Sequence, residues 1–237
     1  MAEGWLQEQC KIHDRIIELT GTLYGKHSLE LANAMMNATR ADYALDNYHR
    51  LRELVEKSLE IRLEILGEEH LDTAQCYNDL GVACGKLGDN QKFLEYSSKS
   101  LDLRLALCTD KAELAESYGN VGAALLLTSG DKEKNLEYTM KALTFYKQAF
   151  GDMHLKTASA LNEVGCAYFE LDNFERGLEY CIQSLKIREK MVGNKHPDTG
   201  QAHNNVANAY ISLEKYDAAI EHLNKGTIYL LTITDIA

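Results

Sequence analysis

The stretch LGEEHLDTA, Leu66 to Ala74, returns as FGDMHLKTA at Phe150 to Ala158 and as VGNKHPDTG at Val192 to Gly200. A glycine, a histidine three residues on, then threonine and a small residue recur at spacings that are multiples of 42. The same 42-residue step carries Ser58-Leu59 to Ser100-Leu101, Ala142-Leu143 and Ser184-Leu185. It carries Glu95-Tyr96 to Glu137-Tyr138, Glu179-Tyr180 and Glu221-His222, and it places Arg62, Arg104 and Arg188 in phase. Several columns in one phase establish an internal repeat, the sequence mark of an array architecture.

Each period reads as two helices. From Ala158 to Leu171, Leu161, Val164, Gly165, Tyr168 and Leu171 recur at three- and four-residue steps, which is one face of a helix. Asp172-Asn173 then supplies turn chemistry, because both side chains bond nearby backbone. A second stripe follows through Leu178, Cys181, Ile182, Leu185, Ile187 and Met191. Gly193 ends it, as glycine does where the chain turns left-handed. Small residues (Gly81, Gly122, Gly165 and Ala207 on first helices, Ser100, Ala142 and Ser184 on second) let paired helices approach closely.

Composition points the same way. The 237 residues contain one proline, Pro197, and proline is the residue that helix interiors exclude. Hydrophobic content is 45% and charged content 26%, ordinary for a soluble globular chain. A net charge of -11 argues against nucleic acid and against anionic membrane surfaces. No apolar run approaches the ~20 residues of a membrane span, and no signal peptide opens the chain. The six cysteines form no C-x-x-C pair and sit mostly among apolar residues, so a reducing cytoplasmic location is expected.

Alternating small and large residues in two helices joined by a tight turn resembles the tetratricopeptide repeat, whose usual period is about 34 residues. The longer second helix and the G-x-x-H-x-x-T-A joint are similar to the 42-residue repeats of kinesin light chains and nephrocystin-3. The resemblance implies an all-α, right-handed superhelical solenoid of antiparallel helix pairs, with first helices lining a concave groove. Counting outward gives about eleven helices in a single array over residues 1–237. A half-repeat helix over 5–24 precedes pairs at about 28–66, 70–108, 112–150, 154–192 and 196–234. The third pair slips: Gly122 lies 41 residues after Gly81 and 43 before Gly165. A shorter joint at CTDKAEL and a longer turn at LTSGDKEK are expected to absorb the slip.

No catalytic motif is present, whether G-x-S-x-G, Walker, H-E-x-x-H or G-x-G-x-x-G, so the chain is expected to be no enzyme and to need no cofactor. The periodic His70, His154 and His196 are expected at helix starts as caps, with no metal. The candidate site is the column Asn78, Asn120, Asn162 and Asn204 on first helices. An amide both donates and accepts, so a ladder of them suits a peptide backbone, and the resemblance implies that such arrays hold peptides in the groove. The slip aligns Asn120 with Asp79 instead of Asn78, so it is expected to face differently. Farther along the helices, Arg40 and Lys86 are expected to clamp an acidic group, Phe169 to receive an apolar anchor, and Asn208 to continue the polar row. The expected function is a non-catalytic adaptor or scaffold that binds a protein or peptide segment. The runner-up is an architectural or regulatory segment with an empty groove. The apolar GTIYLLTITDIA end, with Ile228, Tyr229, Leu231 and Ile233, is expected to lie uncovered and to favour self-association or a fragment of a longer array.

Overall fold

The computed structural model describes residues 2–107 and 110–234. Among them are eleven helices and no strand: α1 (Ala2–Tyr24), α2 (Leu29–Ala44), α3 (Tyr48–Leu66), α4 (Leu71–Lys86), α5 (Asn90–Leu107), α6 (Lys111–Ser129), α7 (Lys132–Phe150), α8 (Leu155–Glu170), α9 (Phe174–Val192), α10 (Pro197–Ser212) and α11 (Tyr216–Thr234). Two compact units divide them. One holds α1 to α5 and Leu127–Ser129, the last turn of α6; the other holds the rest of α6 and α7 to α11. The side chains of Ile228, Tyr229, Leu231 and Ile233, on which the expected apolar end depends, lie outside the described residues.

The repeated joint is a set of hydrogen bonds. Gly67, Gly151 and Gly193 have φ of 82°, 81° and 82°, the left-handed region open to glycine. Three residues on, Nδ1 of His70, His154 and His196 accepts the backbone N–H of Asp72, Lys156 and Asp198 at 3.0, 3.1 and 3.2 Å. The histidines therefore cap α4, α8 and α10, satisfying an N–H that has no partner inside the helix. The hydroxyls of Thr73, Thr157 and Thr199 donate to the carbonyls of Gly67, Gly151 and Gly193 at 2.9, 2.7 and 2.9 Å. The following alanine matters through its backbone. Ser58, Ser100 and Ser184 donate to the carbonyls of Ala32, Ala74 and Ala158 at 3.2, 2.9 and 2.7 Å, so each second helix is bonded to its first.

The arginine column does the same from deeper in the pairs. Arg62 donates to Asn33 Oδ1 at 2.8 Å and, across the joint, to the Asp72 carbonyl at 2.9 Å. Arg104 reaches Gln75, and Arg188 reaches Ser159 at 3.1 Å and Asp198 at 3.4 Å. Arg62 and Arg104 are buried, so these acceptors offset the cost of taking their charge out of water. The third pair has Tyr146 and Ala142 where the first, second and fourth have arginine and serine.

That pair also departs from the expected turn. The first helix is longer instead of the turn: α6 has 19 residues where α4 and α8 have 16, and only Gly130 and Asp131 separate it from α7. Leu127, Thr128 and Ser129 continue the helix until Gly130, at φ 69°, caps it left-handed. Asp131 then caps α7 by accepting from Lys134 N–H at 2.9 Å. Thr128 and Leu127 bond Asn90 on α5, which anchors the added turn.

The helices of a pair cross at small residues. A Cβ added to Gly81 would stand 2.7 Å from Ser97 Oγ, and one on Gly165 would stand 2.8 Å from Cys181 Sγ. Below this crossing the two pairs solve one packing problem in opposite ways. Phe93 on α5 fills the space left by Gly85 on α4, where a Cβ would come within 2.7 Å of the ring. In α8–α9 the ring belongs to Phe169 on the first helix and the gap to Gly177 on the second, at 2.0 Å.

Candidate functional site: the first-helix face

The crossing residues Gly81, Gly122, Gly165 and Ala207 fix the register of α4, α6, α8 and α10. Asp79, Asn120 and Glu163 each stand two residues before Gly81, Gly122 and Gly165, with Asn205 likewise before Ala207. Asn78, Gly119, Asn162 and Asn204 stand three before. The 42-residue column of asparagines therefore belongs to two structural rows. A one-residue shift turns a helical side chain by about 100°, so Asn120 falls in the row of Asp79 and Glu163, as its local sequence implies.

The row three before the crossing points toward neighbouring helices. Asn78 is 1% exposed, with Nδ2 3.3 Å from Asp79 Oδ1, so it is not on a surface where a ligand reaches it. Its place beside the crossing encloses it in protein, and the expectation of a groove contact is corrected there. Asn204 is half-buried and turns inward: its Oδ1 would be 2.4 Å from a Cβ on Gly226 of α11. Asn162, half-buried, accepts from Asn205 Nδ2 at 2.6 Å, joining α8 to α10, and its own Nδ2 lies 3.9 Å from Cys166 Sγ. Phe169 is also corrected. Its ring lies on Gly177 and 6.5 Å from that of Phe174, so its own helix pair fills the site expected for an anchor.

The polar positions that do face solvent lie one turn on. Asn208 and Cys166 are exposed, and Glu163 and Asn205 stand beside them. Glu163 is reached by solvent, yet burial is the main force on its carboxyl and pushes it above the usual carboxylate range, with Lys156 acting in the opposite direction. Protein thus crowds a carboxylate that water still reaches. Burial also raises the Cys166 thiol, and the charges of Glu163 and Glu170 raise it further. That holds Cys166 in its protonated form, the weak nucleophile.

In the unit of α1 to α5, Arg40 is exposed and forms no ion pair among the described residues. With Trp5, Gln9, His13, Asn37 and Ala41 it lines an open concavity of about 460 Å³. Lys86 is exposed, its Nζ 6.0 Å from the centre of the Tyr48 ring. The two cations are in one unit, whereas Asn162, Asn204, Asn208 and Phe169 are in the other. Among the described residues no cluster of histidine, cysteine, aspartate and glutamate has the geometry to hold a metal, and no helix is long and apolar enough to cross a membrane. The column reading missed Glu163 and Asn205; counting back from the crossing glycine, instead of along the 42-residue step, finds both.

The tetratricopeptide repeat profile matches residues 40–106 and 156–227, more than half of the chain. No curated protein matches the sequence. Among solved structures, BtubC (BKLC) from P. vanneervenii superposes with a TM-score of 0.80 at 17% identity, covering 97% of this chain and 92% of that one. A Podosopora anserina kinesin light chain protein with nearly identical TPR-like repeats gives 0.72 at 16% identity, covering 86% and 96%. A Rap protein complexed with Competence and Sporulation Factor gives 0.69 at 15% identity, covering 95% of this chain and 64% of that one. At these identities the likeness is one of fold.

Proposed function

We propose that this chain, which belongs to the tetratricopeptide repeat family, is a non-catalytic protein-interaction module that holds a partner segment against its first-helix face. The observation that carries this reading is the amide-rich surface of α8 and α10, where Asn162, Asn205 and Asn208 offer donors and acceptors beside the solvent-reached Glu163 and Cys166. Amides bond a backbone whatever side chains it carries, which suits an extended or helical segment. The Rap protein of similar fold, in complex with Competence and Sporulation Factor, supports it. In the α1 to α5 unit, Arg40 and Lys86 add exposed cations that select for acidic groups. Asn78 and Phe169 take no part in contact; they hold the helix pairs together.

The burial of Asn78 and the Asn162–Asn205 hydrogen bond also favour a second reading, an architectural segment with no groove ligand. Selection from a displayed random-peptide library separates the two. Peptides selected by the unaltered chain lose binding to Asn208→Trp with Cys166→Trp and keep it to Glu179→Trp with Gln183→Trp, exposed positions on the second helix α9. Failure to select any peptide, or equal loss from both variants, favours the architectural reading.

A further inference from the structure

Most glycines described inside α4 to α11 have steric reasons; Gly119 of α6, like Gly4 and Gly21 of α1, does not. A Cβ at Gly81, Gly85, Gly122, Gly165, Gly177 or Gly226 would meet a neighbouring atom within 3.1 Å. Gly119, in the middle of α6, has no such neighbour: the one atom within 4 Å of its added Cβ is Glu163 Oε2, at 3.8 Å. Its φ is not in the left-handed region that favours glycine. Glycine is among the poorest helix formers, and neither packing nor backbone geometry calls for it here. What it does is leave an open slot before a carboxylate.

That carboxylate makes no hydrogen bond or ion pair among the described residues, although the chain supplies such partners to Glu95, Glu137 and Glu221 from lysines one turn on. Beside it stand the neutral Asn205 in the same row on α10, Asn162 and Cys166, and Lys156, two turns earlier on α8, is a cation whose charge acts on it without forming an ion pair. The carboxyl is crowded by protein, and a cation placed against it would stabilise its charged form.

The geometry points to a slot, made by Gly119 and Glu163, that seats a lysine or arginine side chain of the bound segment. The slot lies on the first-helix face and rests on the reading of that face as a peptide groove. A carboxylate partly withdrawn from water attracts a cation more strongly than an exposed one and is less screened by salt. Filling the slot with a side chain would block the seat without disturbing the helix crossing at Gly122.

The test uses a positional-scanning hexapeptide library, with lysine or arginine, aspartate or glutamate, or serine fixed at each place, against the whole chain. The unaltered protein prefers the basic members by about tenfold. Both Glu163→Gln and Gly119→Leu abolish that preference, while thermal melting followed by circular dichroism shows both variants folded; Glu179→Gln leaves it intact. Binding without a basic preference, or a preference that survives Glu163→Gln, overturns the slot but leaves the groove standing. Absence of any hexapeptide binding overturns the slot and the groove together.

Discussion

In the α4–α5 pair the aromatic ring stands on the second helix and the gap on the first; in α8–α9 the two have changed places. Gly85 and Phe169 occupy the same position of the repeat, and so do Phe93 and Gly177. One interior volume is filled from either side, because close packing constrains the sum across a crossing and not the residue at each position. The surfaces differ in another way. Lys86 of α4 and Glu170 of α8 are equivalent, and Arg40 of α2 has Cys166 of α8 as its counterpart. At these positions the same scaffold thus presents two cations in one unit and a carboxylate and a thiol in the other. Conservation of the frame and divergence of the face are what a repeat needs in order to vary its ligand.

The swap itself can be broken. Phe93→Gly should cost roughly 3–5 kcal/mol by removing a buried ring, and adding Gly85→Phe should recover most of it. Urea unfolding of the single and double variants measures this, and simple additivity of the two losses would refute the complementarity. Gly177→Ala sharpens the other half. Its Cβ would stand 2.0 Å from the Phe169 ring, so a loss of about 1–3 kcal/mol is expected, relieved when Phe169→Leu is added.

A third position distinguishes these pairs from α10–α11. Tyr77 and Tyr96 stack with ring centres 6.0 Å apart, while their counterparts His203 and His222 meet with Nδ1 atoms 3.0 Å apart. Burial, then the charges of His222 and Lys225, lower the His203 pKa to about 4, against a weaker opposing pull from Glu221; burial also lowers that of His222. Glu189 of α9 faces the same ring, with Oε1 3.7 Å from Nε2. Lowered folded values mean that the unfolded chain binds more protons between pH 6.5 and about 4. The contribution of the pair is therefore complete above pH 6.5 and declines as the pH falls through that window. His203→Tyr with His222→Tyr should flatten the dependence, as read from melting temperatures across pH 4 to 7. An unchanged slope would remove the pair from the account.

The smallest effect concerns the bonds shared by both pairs. Ser100→Ala and Ser184→Ala should each cost about 1 kcal/mol by removing a hydrogen bond to the carbonyl of Ala74 or Ala158. Equal losses would make the joints interchangeable, and Ala142 and Gly226 show that two pairs manage without the hydroxyl.

The frame was legible because its signals are local. Glycine, histidine and threonine act within six residues of one another, so the joint could be read from LGEEHLDTA, and with it the period and the helix ends. The face was less legible. Asn78, Asn120, Asn162 and Asn204 are equally spaced in sequence, but the joint before α6 is one residue short, which puts Asn120 in another row, and the compensating extra residue comes after Gly122. Even within one row, Asn78 is enclosed and Asn162 is half-exposed, because burial depends on what the neighbouring helices carry. Phe169 looked available for the same reason: its partner is an absence of side chain at Gly177, eight residues on, which no apolar pattern records.

The central claim is that a partner segment lies on the first-helix face, and Cys166 reports on that face directly. The measurement is the alkylation rate of Cys166, resolved by mass mapping, with and without a saturating peptide selected by the chain. The account predicts marked slowing at Cys166 when peptide is bound and no slowing after Asn208→Trp has removed binding. A Cys166 rate that is the same with and without bound peptide would contradict it.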